Sequence, residues 1–511
     1  MCEATIGHLP LELVSRIIDF TSEADPDSTR PTKPKQAYLA LVSKQWRDII
    51  ESRTFGTITV ESSELEVFAK IYGGRRGTQR RAFLHKLNIS LDLPGCVDAA
   101  ASRTTSRAMR GLTRQRNSEA FTKVVRDWFT TLESWPYNPA RDRTINLAIF
   151  GPSHSRPLEK VQLLAPDTIP RVHRITSLDC SDTTIRLASL PLVASRLPKL
   201  EKFYWDYFDM IKPLNSVRRR RDRYEFAKHL RLLADFPIQQ ARLKYTNHAP
   251  YNQNIEPPSL LLPGSVCDHL CQSLRYFSQL ESLSVLDINK AVISPELFWP
   301  SEINAEAPFW PNLSILHVSF NTMAADGGWY YERNPHATPD SDDEDVAPFN
   351  PDFGSMPPTP ERVFAEEEAR ARDTDFSAES DVSAIDSETE RQRGRIYNTN
   401  DWFRSWPFPK MEALLQAKAR TVTRMPRLRQ LSAGSWVYDH DRGQGVDFEF
   451  FYLRAGEQQV VCDAQFEHDD FAKQRLLWHV PELWRMSDAV EQRWRETLGQ
   501  DGIIEYQEWD D

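Results

Sequence analysis

One compact set of metal-ligating side chains in the 511-residue chain is "CDHLC" at 267–271. On a helix, Cys267 and Cys271 stand at i and i+4 and share a face, whereas His269 is turned well away from both. A zinc centre takes about four ligands, and no second Cys or His pair lies at a matching distance. Buried structural cysteines are the expectation. "YDHDRG" and "EHDDF" gather Asp439, His440, Asp441, His468, Asp469 and Asp470, without the spacing that ligation or a proton relay requires. There is no G-x-S-x-G, Walker loop, H-E-x-x-H or dinucleotide fingerprint. We therefore expect a non-catalytic protein with no metal and no cofactor of its own.

Composition narrows the class further. The 40% hydrophobic and 11% aromatic content, with 14 tryptophans, supplies ample core for several packed units. The cysteines, Cys2, Cys96, Cys180, Cys267, Cys271 and Cys462, follow no disulfide framework, and nothing upstream reads as a signal peptide. An intracellular site, cytoplasmic and/or nuclear, is expected. No run approaches the length of a membrane span. Acidity is local: Glu332 to Arg395 holds 18 acidic and 7 basic side chains, so this segment carries −11 of a chain total of −10. A nearly neutral remainder argues against nucleic-acid binding.

These side chains need elements to position them, and the first appears at once. In "LPLELVSRIIDF", Pro10 suits a first helical turn and Glu12 complements the positive helix end. Leu13, Val14, Ile17 and Ile18 form one apolar stripe. A proline-rich polar loop follows, and then "AYLALVSKQWRDIIESRTF" resumes helical spacing with Leu39, Val42, Trp46 and Ile49. Ile58 and Val60 alternate beyond it, as a strand would. Two short helices cannot bury such stripes alone, so an interface is expected.

Residues 6–60 resemble an F-box of the fungal type, on Leu9-Pro10, Glu12, Leu13, Ile17, Leu41-Val42-Ser43, Trp46 and Phe55 in order. The loop before the second helix is longer than in a compact F-box. The resemblance implies docking onto the Skp adaptor and cullin scaffold of a cullin-RING ubiquitin ligase. Leu9, Pro10, Leu13, Ile17, Leu41, Val42 and Trp46 would be its adaptor-facing or F-box-core residues.

Farther on, "LPKLEKFYW" (197–205), "FSQLESLSV" (277–285), "WPNLSILHV" (310–318) and "MPRLRQLSA" (425–433) align, with Leu200, Leu280, Leu313 and Leu428 equivalent. Each leads into alternation, the period of a half-buried strand. Helical patterns intervene, the clearest being "SEAFTKVVRDWFTTLESW", capped at Ser118; "DRYEFAKHLRLLADF" and "SVCDHLCQSLRYF" are similar. Strands are expected around "HKLNISLDL", "RTINLAIFG", "ITSLDC" and "ARLKYTN". A hairpin within "VDFEFFYLRAGEQQVVCDAQF" turns at Ala455-Gly456, and "PELWRMSDAVEQRWRETL" reads as a capping helix. The expected fold is α/β: a helical F-box followed by an irregular leucine-rich-repeat-like solenoid, in preference to a doubly wound domain, since no Gly-rich phosphate turn follows a strand.

The acidic segment, with its low hydrophobicity and repeated prolines, reads as a disordered insertion. Removing its 64 residues shortens the spacing from Leu313 to Leu428 from 115 to 51. Thr338 and Thr359 precede proline and Ser341 precedes "DDED", contexts for phosphorylation. The basic stretches "GGRRGTQRR" and "SVRRRRDR" read as exposed faces or helix starts, with "RRRR" at 218–221 also resembling a nuclear address. The domain plan is 6–60 (F-box), 61–332 (first repeat part), 333–396 (insertion) and 397–511 (C-terminal repeat part with hairpin and capping helix). Functionally this implies a substrate-recognition subunit that presents an unknown target protein for ubiquitination. The alternative is a repeat-based interaction scaffold acting without ubiquitination. Neither involves nucleic acid or a membrane.

Overall fold

The computed structural model describes residues 10–22, 38–94, 107–137, 143–151, 160–181, 185–209, 216–247, 257–302, 305–332, 335, 404–439, 444–458 and 471–509. The expected insertion, residues 333–396, falls outside these but for Pro335.

Twelve of the described strands form one sheet. They are β1 (Thr57–Glu61), β2 (Lys86–Ser90), β3 (Ile145–Phe150), β4 (Ile175–Cys180), β5 (Lys202–Phe208), β6 (Gln240–Thr246), β7 (Val285–Ala291) and β8 (Ile315–Phe320), then β11 (Gln430–Asp439), β12 (Gln444–Leu453), β13 (Arg475–Val480) and β14 (Ile503–Glu508). The short β9 (Tyr331–Glu332) and β10 (Trp406–Pro407) pair separately, antiparallel. In the large sheet every strand lies beside its neighbour in sequence, with no reversal of order. β1 to β8 and β11 are mutually parallel; β12 is antiparallel to both β11 and β13, and β14 is parallel to β13.

The described helices are α1 (Leu11–Ser22), α2 (Lys44–Gly56), α3 (Leu65–Gly73), α4 (Gly77–Phe83), α5 (Arg107–Glu133), α6 (Ser189–Ala194), α7 (Ser216–Leu230), α8 (His269–Ser278), α9 (Pro409–Val422) and α10 (Asp488–Leu498). None is long and apolar enough to cross a membrane. One register row runs from Ile58 on β1 through Leu147, Phe203, Leu286 and Leu431 to Ile504 on β14. These residues join Trp128, Phe226, Leu274, Leu414 and Trp494 from the helices in one core. Because strand side chains alternate between faces, the alternate positions form an open face. Tyr204, Asp206, Lys244, Asp287 and His317 on it are only half-buried.

A hydrogen-bond motif recurs where the strands begin. The carbonyls of Glu201, Gln239, Ser284 and Ser314 each accept two successive backbone N–H groups from the next strand start, at 2.7–3.2 Å. The residue before each donor or acceptor pair is a buried aliphatic: Leu200, Ile238, Leu283, Leu313 and Leu428. This corrects the sequence alignment by three residues in one stretch. Leu283, not Leu280, is equivalent to Leu200 and Leu313, since Leu286 is the register partner of Leu316. The unit at Ile238 escapes a leucine pattern altogether.

Three further expectations change. α5 begins at Arg107, so Ser118 lies within it, and its buried hydroxyl accepts from Gln162 N at 3.1 Å. The β12 strand of the expected hairpin pairs with β11 and β13, while residues 459–466, its expected partner, lie outside the described set. α10 starts only at Asp488, capped by Ser487, and β14 follows it as the sheet edge, so the helix is not the terminal element.

Candidate functional site

Pro10 opens α1 by offering its carbonyl to Leu13 N and Val14 N, at 3.0 and 3.1 Å. Ser43 caps α2, accepting from Trp46 N at 3.3 Å. The two helices close on a small core of their own, Val14, Ile18, Trp46 and Ile50, flanked by Leu39, Ala40 and Ile49. Arg53 fastens them by donating to Ser15 Oγ at 2.6 Å. The stripe expected along α1 is therefore split. Val14 and Ile18 face inward, while Leu13 and Ile17 remain 46% and 39% exposed, and Leu41 and Val42 before α2 are 75% and 49% exposed. Tyr38 beside them is exposed too.

Of the expected adaptor-facing residues, Pro10, Leu13, Ile17, Leu41 and Val42 are thus solvent-facing. Trp46, only 5% exposed, is a core residue of the helix pair and lines no outer surface. Leu9 lies outside the described residues, as do Thr338, Ser341 and Thr359.

The "GGRRGTQRR" segment contains a helix start, as one of its two readings expected, since α4 begins at Gly77, and it also fastens the helix pair. Arg76 and Arg80 meet Glu51 at 3.4 and 3.3 Å, Gln79 donates to Asp48 at 2.7 Å, and the Arg80 guanidinium stacks 4.4 Å from the Phe55 ring. The "RRRR" run lies at the start of α7, as its helix-start reading expected, with Arg221 exposed and others drawn inward. Arg219 pairs with Asp209 at 2.8 Å, both buried, Arg220 donates to Ser259 O, and the neighbouring Arg223 pairs with Asp268 at 2.7 Å. Sequence spacing could not disclose this, because the acids arrive from different turns of the chain.

Asp268 is also the cap of α8, accepting from Leu270 N. Cys271 is fully buried and accepts from Ser294 N, and burial raises its thiol well above the ordinary range. Among the described residues no three His, Cys, Asp or Glu side chains are arranged to hold a metal.

The open sheet face supplies a second surface. Register places Arg242, Asp287, His317 and Ser432 side by side on four strands. Arg242 meets Asp287 at 3.2 Å and His317 Nδ1 meets Ser432 Oγ at 2.5 Å. Burial lowers the imidazole pKa, with Asp287 opposing the shift. An Asp-His-Ser order suggests acyl transfer, but the serine is buried against Nδ1 and the carboxylate is engaged by arginine, so the row is a polar ladder. Its successive members lie 45, 30 and 115 residues apart in sequence, which is why no motif revealed it.

Fold and surfaces together define a mixed α/β protein built on one large, mostly parallel sheet, with an exposed apolar helix pair at one end. No family model matches the chain, and no curated protein matches it.

Proposed function

We propose that the chain is a substrate-recognition subunit of an SCF-type cullin-RING ubiquitin ligase. Residues 6–60 act as an F-box that grips the Skp adaptor, and a leucine-rich-repeat-like solenoid holds a target protein. The observation that carries the reading is the outward stripe of Leu13, Ile17, Leu41 and Val42 on a helix pair whose inner core is already complete. A surface helix with no partner is ordinarily polar on its outer face. Covering a leucine or isoleucine completely is worth roughly 1.5–3 kcal/mol, so a partner would gain substantially here.

The strict sequential order of the strands and the recurring carbonyl motif support a stacked-repeat architecture, in which each unit buries its face only against its neighbours. Function then rests on proximity. Tethering a target near the ligase raises its effective concentration, and no bond is made or broken by this chain.

Co-purification of the full chain with the Skp adaptor tests the proposal. Wild type is expected to bind, and Leu13→Ser combined with Ile17→Ser to abolish capture while thermal unfolding of the sheet is unchanged, because both side chains are exposed. A folded wild type that fails to bind the adaptor sinks the reading. Adaptor capture without any client ubiquitination that depends on these residues supports the scaffold alternative instead.

A further inference from the structure

On the open face of the sheet the middle strands neutralise their own charges. Lys244 meets Asp206 at 2.5 Å and Arg242 meets Asp287 at 3.2 Å. β12 does not follow this pattern. Asp447 and Glu449, two residues apart on one strand, project from the same face, and neither carboxylate has an ion-pair or hydrogen-bond partner among the described residues. Directly opposite Asp447 on β11 is Trp436. Residues paired this way lie on one face with their side chains adjacent, and the Trp436 indole is 59% exposed.

The backbone is shaped around Glu449. Its partner on β11 is Gly434, where a Cβ would come within 2.6 Å of Glu449 Cγ and 2.4 Å of the Phe448 carbonyl. The missing side chain lets the glutamate's methylenes lie across β11. Burial, and to a smaller degree Asp447, push the Glu449 carboxyl up to about 7. The other groups facing it are His479, its register partner on β13, and the uncharged Gly434 and Trp436 on β11. An exposed indole next to two carboxylates without counter-ions complements a cation: a guanidinium or ammonium can lie on the ring and donate hydrogen bonds to both acids.

We propose that Trp436, Asp447 and Glu449 form a cation-recognition patch that takes an arginine or lysine side chain from an extended basic segment of the target protein. The proposal rests on the reading that the repeat array holds a target protein, and it deepens that reading by naming the face used and the class of target.

The test is fluorescence anisotropy of a labelled nona-arginine peptide against the full chain, with nona-glutamate in parallel. Nona-arginine is expected to bind. Glu449→Gln and Trp436→Ala are each expected to weaken it about tenfold. Wild-type affinity should rise from pH 6 to pH 8, with proton release on binding, because the bound cation favours the ionised Glu449; in Glu449→Gln that pH dependence should shrink. Residues 333–396 are common to all three proteins, so the patch is read from the difference between wild type and the variants and not from the wild-type affinity alone. Equal affinity for nona-glutamate, or unchanged affinity in both variants, overturns the patch. Adaptor capture is measured on Leu13 and Ile17 and is independent of this result, so failure of the patch and failure of the ligase reading are distinguishable.

Discussion

Lys418 on α9 is fully buried, and its Nζ has no hydrogen-bond partner among the described residues. It lies 4.4 Å from the Phe320 ring centroid, 5.0 Å from Phe450 and 5.3 Å from Phe298. Burial alone drives its pKa well below the ordinary 10.5. The unfolded chain therefore holds one more proton than the folded chain between the depressed value and 10.5, so stability rises with pH across that window and the penalty is greatest below it. Lys418→Met is expected to stabilise the protein at pH 7 by roughly 1–3 kcal/mol, and to flatten the rise in stability on the alkaline side. Urea unfolding at pH 7 and pH 9.5 checks both, and a destabilised variant would show that the amine has a favourable partner. The buried pairs Arg219–Asp209 and Arg223–Asp268 resolve the same problem differently, by bringing a carboxylate to each guanidinium. In sequence all of these are simply basic residues of helices; what distinguishes Lys418 from Arg219 is which long-range neighbour the fold delivers.

At the scale of elements, the α1–α2 pair holds a core separate from that of the sheet. Small, separate cores open independently of larger ones. Ile18→Ala, which hollows this core, is expected to cost about 2–5 kcal/mol locally. Hydrogen exchange should speed up through α1 and α2 while the amides of β5 to β8 keep their protection; equal acceleration in both would show that the pair and the sheet unfold as one unit. The apolar spacing of α1 was plain in the sequence, but periodicity groups Leu13, Val14, Ile17 and Ile18 into one stripe. Only the position of Trp46 and Ile50 decides that Val14 and Ile18 turn inward. Likewise the alternation of β7 was readable, but its phase against β8 was three residues off, because a local pattern does not fix register between strands.

For the whole molecule, β9 and β10 are informative. Tyr331–Glu332 pairs with Trp406–Pro407, so the described residues on either side of the acidic segment meet at adjacent points. Tyr331, buried, also meets the hydroxyl of Ser435 on β11, which ties this junction to the large sheet. Replacing residues 336–402 by a short Gly-Ser linker should therefore preserve a single cooperative transition. It should change stability by no more than about 2 kcal/mol, on the stabilising side, since loop-closure entropy grows only slowly with length. Calorimetry measures this, and loss of cooperativity would mean that the segment is part of the core. Ion-exchange elution should move sharply, because most of the chain's net negative charge resides there.

By itself the sequence determined what local periodicity and composition can carry. It specified the two amphipathic N-terminal helices, the helix-strand alternation, strands such as Ile145–Phe150 and Ile175–Cys180, and the confinement of acidity to one segment. Tertiary structure alone decided the neighbours. It chose Leu283 over Leu280 for the buried ladder, took Ser118 from a helix start into a helix interior, buried the arginines at 219 and 223, and set Trp436 beside Asp447. Each of these depends on pairing between residues brought together by the register of stacked strands, and register is a property of two segments at once, which neither segment encodes alone.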